Sequence, residues 1–290
     1  MATGSKQIRK AKCIKDEGFD LDLADQYDLT IGYERDQIDF LVYDRERGKF
    51  VYLEPLPMPE ASNDPLKEAP KALANADLLT PEYNTVNLVL SNSRGTLVPE
   101  ALFDHDLKYS YFNLNFQKTS EETIEENFVN QLRAYFVWSL PSTLLDSFTA
   151  NIKAPQHIYH SGTLFLENIL IQYQKDHQNL IITDLEASLA RIAVMKKGML
   201  HFFNIFSYSN DVDLLYYLMY VSEKLEVNPD EDPYVFTGDV YRNSELYQLL
   251  ERYLNNISFG QRPETLEYSH QFNEISAHNY YTLFGIGLCE

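Results

Sequence analysis

The 290 residues carry 24 Lys and Arg against 43 Asp and Glu, a formal net charge of −19 at pH 7, and 44% of them are hydrophobic. With 21 Tyr and 17 Phe this is ample material for buried cores and excludes a disordered chain, while 11 Gly and 12 Pro are too few for a fibrous or low-complexity protein. The acidic balance excludes non-specific binding to nucleic acid or anionic membrane, because phosphate groups attract the opposite sign.

Lys6, Arg9, Lys10, Lys12 and Lys15 form a basic stretch that Asp16, Glu17, Asp20, Asp22 and Asp25 offset at once. It reads as a solvated terminus rather than an anion-binding arm. Residues 1–15 hold no apolar region of a signal peptide, and the longest apolar run, 214–221, falls short of the ~20 residues of a membrane span. Cys13 and Cys289, far apart, fit a reducing compartment, so a cytoplasmic location is expected.

Leu29, Ile31 and Tyr33 alternate with polar positions, Ile38, Phe40 and Val42 alternate again, and a polar turn at 44–48 leads to the apolar run 50–53. This predicts a three-stranded meander. A helix around 66–79, disturbed by Pro70, follows, then a strand at 86–90 and a small element from Leu97. Residues 108–116 read as extended and aromatic, and 120–126 as an acidic exposed turn. A strand at 134–138, a helix from Pro141 to Phe148, a strand at 158–160 and a helix at 161–174 come next. A second meander spans 179–206, with Arg191 interrupting an otherwise apolar strand and a turn at Lys196, Lys197 and Gly198. Asn210 caps a helix from Asp211 to about residue 227, its stripe formed by Leu214, Leu218, Val221 and Leu225. A strand at 234–236, a helix at 244–254 and a strand at 257–259 complete the order βββαβαβ. Residues 278–284 are too apolar for a free tail and are expected to dock.

The two meanders overlay. Leu29 and Ile31 meet Leu180 and Ile182 at an offset of 151, and Gly48 meets Gly198 at 150, which predicts a second turn one residue shorter. A doubled βββαβαβα unit resembles the actin-like ATPase superfamily of sugar kinases, chaperone ATPases and actin. The run 189–200, then Phe206 and the helix from Asp211, is similar to pilus-assembly and cell-division members. The whole chain resembles an uncharacterised bacterial domain-of-unknown-function family with this fold. The resemblance implies an α/β protein of two similar actin-like, ribonuclease H-like halves, 1–151 and 152–290, with a cleft between them.

It also implies three nucleotide loops, and each is degenerate. The first has the pattern apolar-Asp-x-Gly, where Asp helps position Mg²⁺; here Thr30 replaces that Asp and Gly32 is kept. The second has Asp-x-Gly-Gly or Asp-x-Gly-Thr; Asp184 is kept, but Glu186 stands where a glycine amide would face phosphate. At ~4 Å, an effective dielectric of about 20 puts that repulsion at about 4 kcal/mol, roughly a thousandfold in affinity. The adenosine motif has two adjacent glycines; here Gly238 is kept and Asp239 replaces the other. Gly32, Asp184 and Gly238 can equally be kept for a turn, a strand end and a close backbone approach.

Other constellations are weaker. His157 and His160 point to opposite faces of a strand, without the companions of a zinc site. Asp104, His105 and Asp106 read as a solvated turn, and the run 230–232 as a connection between prolines. Tyr216, Tyr217 and Tyr220 share a helix with the apolar stripe, which Tyr217 and Tyr220 widen to more than one face, either as core or as an aromatic surface for a protein partner. The expectation is a non-catalytic interaction or scaffold protein with a protein partner, no nucleic acid, no metal and no cofactor, ATP and Mg²⁺ being disfavoured. The alternatives are an ATP-dependent phosphotransferase using Asp184 and Gly238, and a two-metal nuclease using Asp28 and Asp39, which the acidic charge opposes.

Overall fold

Strand pairing in the computed structural model, which describes residues 12–34, 37–58, 73, 76–151 and 157–289, follows the meanders closely. In the N-terminal part, β1 (Ile14–Lys15), β2 (Tyr27–Tyr33), β3 (Gln37–Asp44), β4 (Lys49–Pro57) and β5 (Thr85–Leu90) come first. The next strands are β6 (Gly95–Pro99), β7 (Glu122–Val129), β8 (Ala134–Pro141) and β9 (His157–His160). The helices here are α1 (Lys108–Asn113), α2 (Ser142–Asn151) and α3 (Ser161–Tyr173). The expected helix at 66–79 falls largely outside the described residues.

The later elements are β10 (Asn179–Leu185), β11 (Leu189–Lys196), β12 (Met199–Ser207), α4 (Asp211–Lys224), β13 (Tyr234–Gly238), α5 (Glu245–Leu250), β14 (Ile257–Phe259), β15 (Glu267–Tyr268) and α6 (Tyr281–Phe284). Residues 278–284 thus dock through a short helix with Tyr281, Leu283 and Phe284 buried.

The chain forms two units. One comprises Ala11–Thr163 with Thr265–Ile275, the other Leu164–Glu264 with Ser276–Glu290. The first unit holds a sheet of order β1-β4-β3-β2-β5-β9, with β15 also pairing β4, and a separate antiparallel sheet β6-β8-β7. The second holds β12-β11-β10-β13-β14. The series β4-β3-β2-β5-β9 and β12-β11-β10-β13-β14 have one topology: two antiparallel pairings, then two parallel ones. β2 is central and buried along its length, which is why its alternation is diluted by apolar residues on both faces.

The turns of the two meanders differ by more than the sequence suggests. β3 and β4 are joined by four residues, 45–48, and β11 and β12 by two, Lys197 and Gly198. Both of the latter have positive φ, 52° and 74°, as a tight primed hairpin turn requires.

Two short segments depart from expectation. Residues 108–113 are helical, because Phe112 and Phe116 stack four positions apart (5.1 Å between centroids) onto Val98, Ile124 and Val137. Residues 122–129 are a strand rather than an exposed turn. Two of their glutamates are paired instead of solvated: Glu122 with Arg94 at 3.2 Å and Glu126 with Lys108 at 2.8 Å.

In the second unit, Ile181, Leu185, Ile192, Val194 and Phe236 face α4 and α5 through Leu214, Leu218, Val221 and Leu250. Asn210 accepts from the amides of Val212 and Asp213 and so caps α4 as expected. The opposite face of the sheet meets α3 and α6, with Phe165 against Phe203 and Asn168 Nδ2 donating to the Tyr281 carbonyl at 2.9 Å.

Candidate functional site

One polar row crosses three neighbouring strands of the second unit. Asp184 on β10 is the register partner of Arg191 on β11 and of Thr237 on β13. Register partners share a face and successive residues alternate, so all three turn away from the core formed by Ile181, Ile192 and Phe236. Thr237 Oγ1 donates to Asp184 Oδ1 at 2.6 Å, and Thr282 Oγ1, from α6, donates to Oδ2 at 2.9 Å. Arg191 Nη1 lies 3.2 Å from Asp184 Oδ2, and its Nη2 is bound to Glu186 Oε1. Asp184 and Arg191 are each 2% exposed and Glu186 4%.

This arrangement is an internal ion-pair triad. Two buried carboxylates are costly to desolvate, and one guanidinium with two hydroxyls compensates them. A Mg²⁺ site would need a carboxylate oxygen open toward water and phosphate. Both oxygens of Asp184 instead accept from the protein's own donors.

The backbone at 186 is committed as well. The Glu186 amide donates to the Leu189 carbonyl at 2.9 Å, closing the β10–β11 hairpin, and Tyr208 Oη donates to the Glu186 carbonyl at 2.6 Å. The amide at the position expected to face phosphate therefore has a partner within the turn. The Glu186 carboxylate is held by Arg191 rather than left as a free charge.

Gly238 is explained by packing. Its φ is +77°, and a Cβ there would stand 2.2 Å from the Leu185 carbonyl oxygen. Its amide donates to the His278 carbonyl at 2.8 Å, its carbonyl accepts from Asn279 Nδ2 at 2.9 Å, and the next amide, of Asp239, donates to Leu185 at 2.7 Å. His278 Nε2 donates to the Val240 carbonyl at 2.8 Å while its ring stacks on Phe259. Burial holds the His278 pKa below its ordinary value, with the Val240 bond and the Asp184 charge opposing.

Thr30 and Gly32 belong to the first unit. Thr30 is buried mid-strand between its register partners Leu41 and Asn87. Gly32 also lies inside β2, paired with Asp39 and Val89, rather than in a turn. Asp39 accepts from Gln37 Nε2 at 2.6 Å, and Asp28 accepts from Asn84 Nδ2 at 2.7 Å.

His157 is exposed and His160 buried, the latter accepting from the Gly162 amide on Nδ1 at 2.8 Å. Asp104 caps a short turn through the Asp106 amide. Among the described residues no group of three or more His, Cys, Asp or Glu is arranged to hold a metal ion. No helix among them is long and apolar enough to cross a membrane.

Arg191, Thr237 and Thr282 were not read as site residues in the sequence. Arg191 leaves a signal there as a charge in the middle of an otherwise apolar strand; the threonines leave none.

The family described as protein of unknown function (DUF3822) matches residues 16–257. The chain belongs to the DUF3822 family. A crystal structure from Bacteroides thetaiotaomicron VPI-5482, described as a protein with actin-like ATPase fold and unknown function, matches this DUF3822 chain with a TM-score of 0.80 at 19% identity, covering 94% of this chain and 99% of that one. The PilM-PilN type IV pilus biogenesis complex matches with a TM-score of 0.63 at 12% identity, covering 90% and 97%. No curated protein matches the chain in sequence. The DUF3822 chain thus has the actin-like ATPase fold.

Proposed function

We propose that the protein is a non-catalytic member of the actin-like fold that works in the cytoplasm as an interaction or scaffold module for another protein. The observation that carries this reading is the commitment of Asp184: Thr237, Thr282 and Arg191 all engage its carboxylate, which is buried among them rather than turned toward water. The hairpin bond of the Glu186 amide supports it in the same loop, and the enclosure of Gly238 by residues 278–279 supports it at the adenosine motif. A structural neighbour being a PilM-PilN complex is in keeping with a partner-binding role. The shared strand order of the two sheets supports an internal duplication whose copies retain the fold without the nucleotide chemistry.

Calorimetric titration with ATP and Mg²⁺, alongside a thermal shift, tests this. No heat and no shift at millimolar ATP is the expected result. Binding at micromolar ATP would overturn it and restore the phosphotransferase reading.

A further inference from the structure

The solvent side of α4 carries a second apolar stripe. Its core side is formed by Leu214, Leu215, Leu218 and Val221. On the other side Val212, Tyr216 and Tyr220 recur at every fourth residue, 66%, 62% and 46% exposed. The rings of Tyr216 and Tyr220 stack with centroids 6.1 Å apart, so the stripe is continuous rather than scattered. Tyr217 does not belong to it, since its ring stacks on Phe206 at 4.6 Å.

The surroundings are acidic. Glu223 lies on the same side of the helix, three residues from Tyr220, and Asp213 flanks Val212 and Tyr216. Asp211 and Glu245 add negative charge at the N-terminal end of the helix, close enough that the charge of Glu245 acts on Asp211. The one basic side chain of α4 shows what these rings accept: Lys224 Nζ sits 5.5 Å from the Tyr220 ring centroid and 3.6 Å from Glu223.

We propose that this face of α4 docks a basic amphipathic segment of a partner protein. Its apolar side chains cover Val212, Tyr216 and Tyr220, and its Lys or Arg side chains lie over the tyrosine rings and against Asp213 and Glu223. A second copy of this chain is disfavoured, because two such faces bring like charges together on a molecule already at −19. The inference rests on the interaction role proposed above and names its surface and the chemistry of its partner.

The probe is a synthetic Leu/Lys amphipathic peptide, fluorescently labelled, titrated with the full chain and followed by anisotropy. Binding is expected to weaken with added salt. It should fall at least about tenfold in Tyr216→Ala/Tyr220→Ala and persist in Tyr216→Phe/Tyr220→Phe, which keeps the aromatic faces. Glu223→Lys should weaken it as well. Thermal melts matching the parent protein show that the variants fold. Equal binding by the parent and the double alanine variant, equal binding of a Leu/Glu peptide, or no binding at all would overturn the inference. A dimer in light scattering that the double alanine variant dissociates would also overturn it, in favour of self-association. The ATP titration on the same samples keeps the two readings apart: ATP binding removes the non-catalytic role, while loss of the tyrosine dependence removes only the docking face.

Discussion

Arg191 faces Asp184 in register across β10 and β11, and the same guanidinium holds Glu186, so a single buried cation serves two carboxylates. Removing it strands both. Arg191→Met should cost about 3–5 kcal/mol, read as a lower urea midpoint at neutral pH. Replacing all three together, Asp184→Asn with Glu186→Gln and Arg191→Met, should recover most of that loss, since no buried charge is then left unpaired.

Gly48 and Gly238 both have positive φ but different surroundings. A Cβ at Gly48 comes no nearer than 3.9 Å to Tyr43 Oη, whereas one at Gly238 meets the Leu185 backbone. Gly48→Ala should cost only the backbone strain of about 1–2 kcal/mol. Gly238→Ala should exceed about 4 kcal/mol, because the Leu185 carbonyl belongs to a central strand and cannot retreat. Denaturation of the two variants in parallel separates these costs.

His278 is held neutral by burial. Its folded pKa lies below the unfolded value of about 6.5, so the unfolded chain takes up the proton first as the pH falls. Its contribution to stability is full above about pH 6.5 and declines below it. In His278→Gln, which keeps a donor for Val240, the fall in urea midpoint from about pH 6.5 to 5 should be shallower.

Asp16 titrates in a lower range. Burial alone would raise its carboxyl, but hydrogen bonds from Lys49, Ser269 and the Gly18 amide, with the Lys49 charge, hold it well below the usual carboxylate range. Its stabilisation is present above the unfolded value of about 3.9 and is lost as the pH falls toward the folded one. Asp16→Asn should lower stability at neutral pH and lessen its decline below about pH 5, as urea titrations across that range would record.

The strands of the first meander were legible because the two-residue alternation of Leu29, Ile31 and Tyr33, and of Ile38, Phe40 and Val42, survives in the raw sequence, and those of the second because they are short apolar runs bounded by a Lys197-Gly198 turn. The short helix at 108–113 was not: six residues span too little of a helical period, and Phe112 and Phe116 suit a strand as well. The strand at 122–129 hid behind glutamates whose partners, Arg94 and Lys108, lie elsewhere in the chain. At the site, Asp184, Glu186 and Gly238 could be picked out from short motifs. What holds Asp184 could not, since Thr237 and Thr282 follow it by 53 and 98 residues and no local spacing encodes those contacts.

The pairing of β15 with β4 has a consequence for biosynthesis. Glu267 and Tyr268 add to the edge of β4 at Lys49 and Phe50, 218 positions earlier (267 − 49 and 268 − 50). At about 5–20 residues per second, that edge waits roughly 10–40 s on the ribosome for its partner. Thr282, which completes the grip on Asp184, is made later still. Neither unit can close as its first stretch of chain emerges; the first waits for residues 267–268 and the second for residue 282.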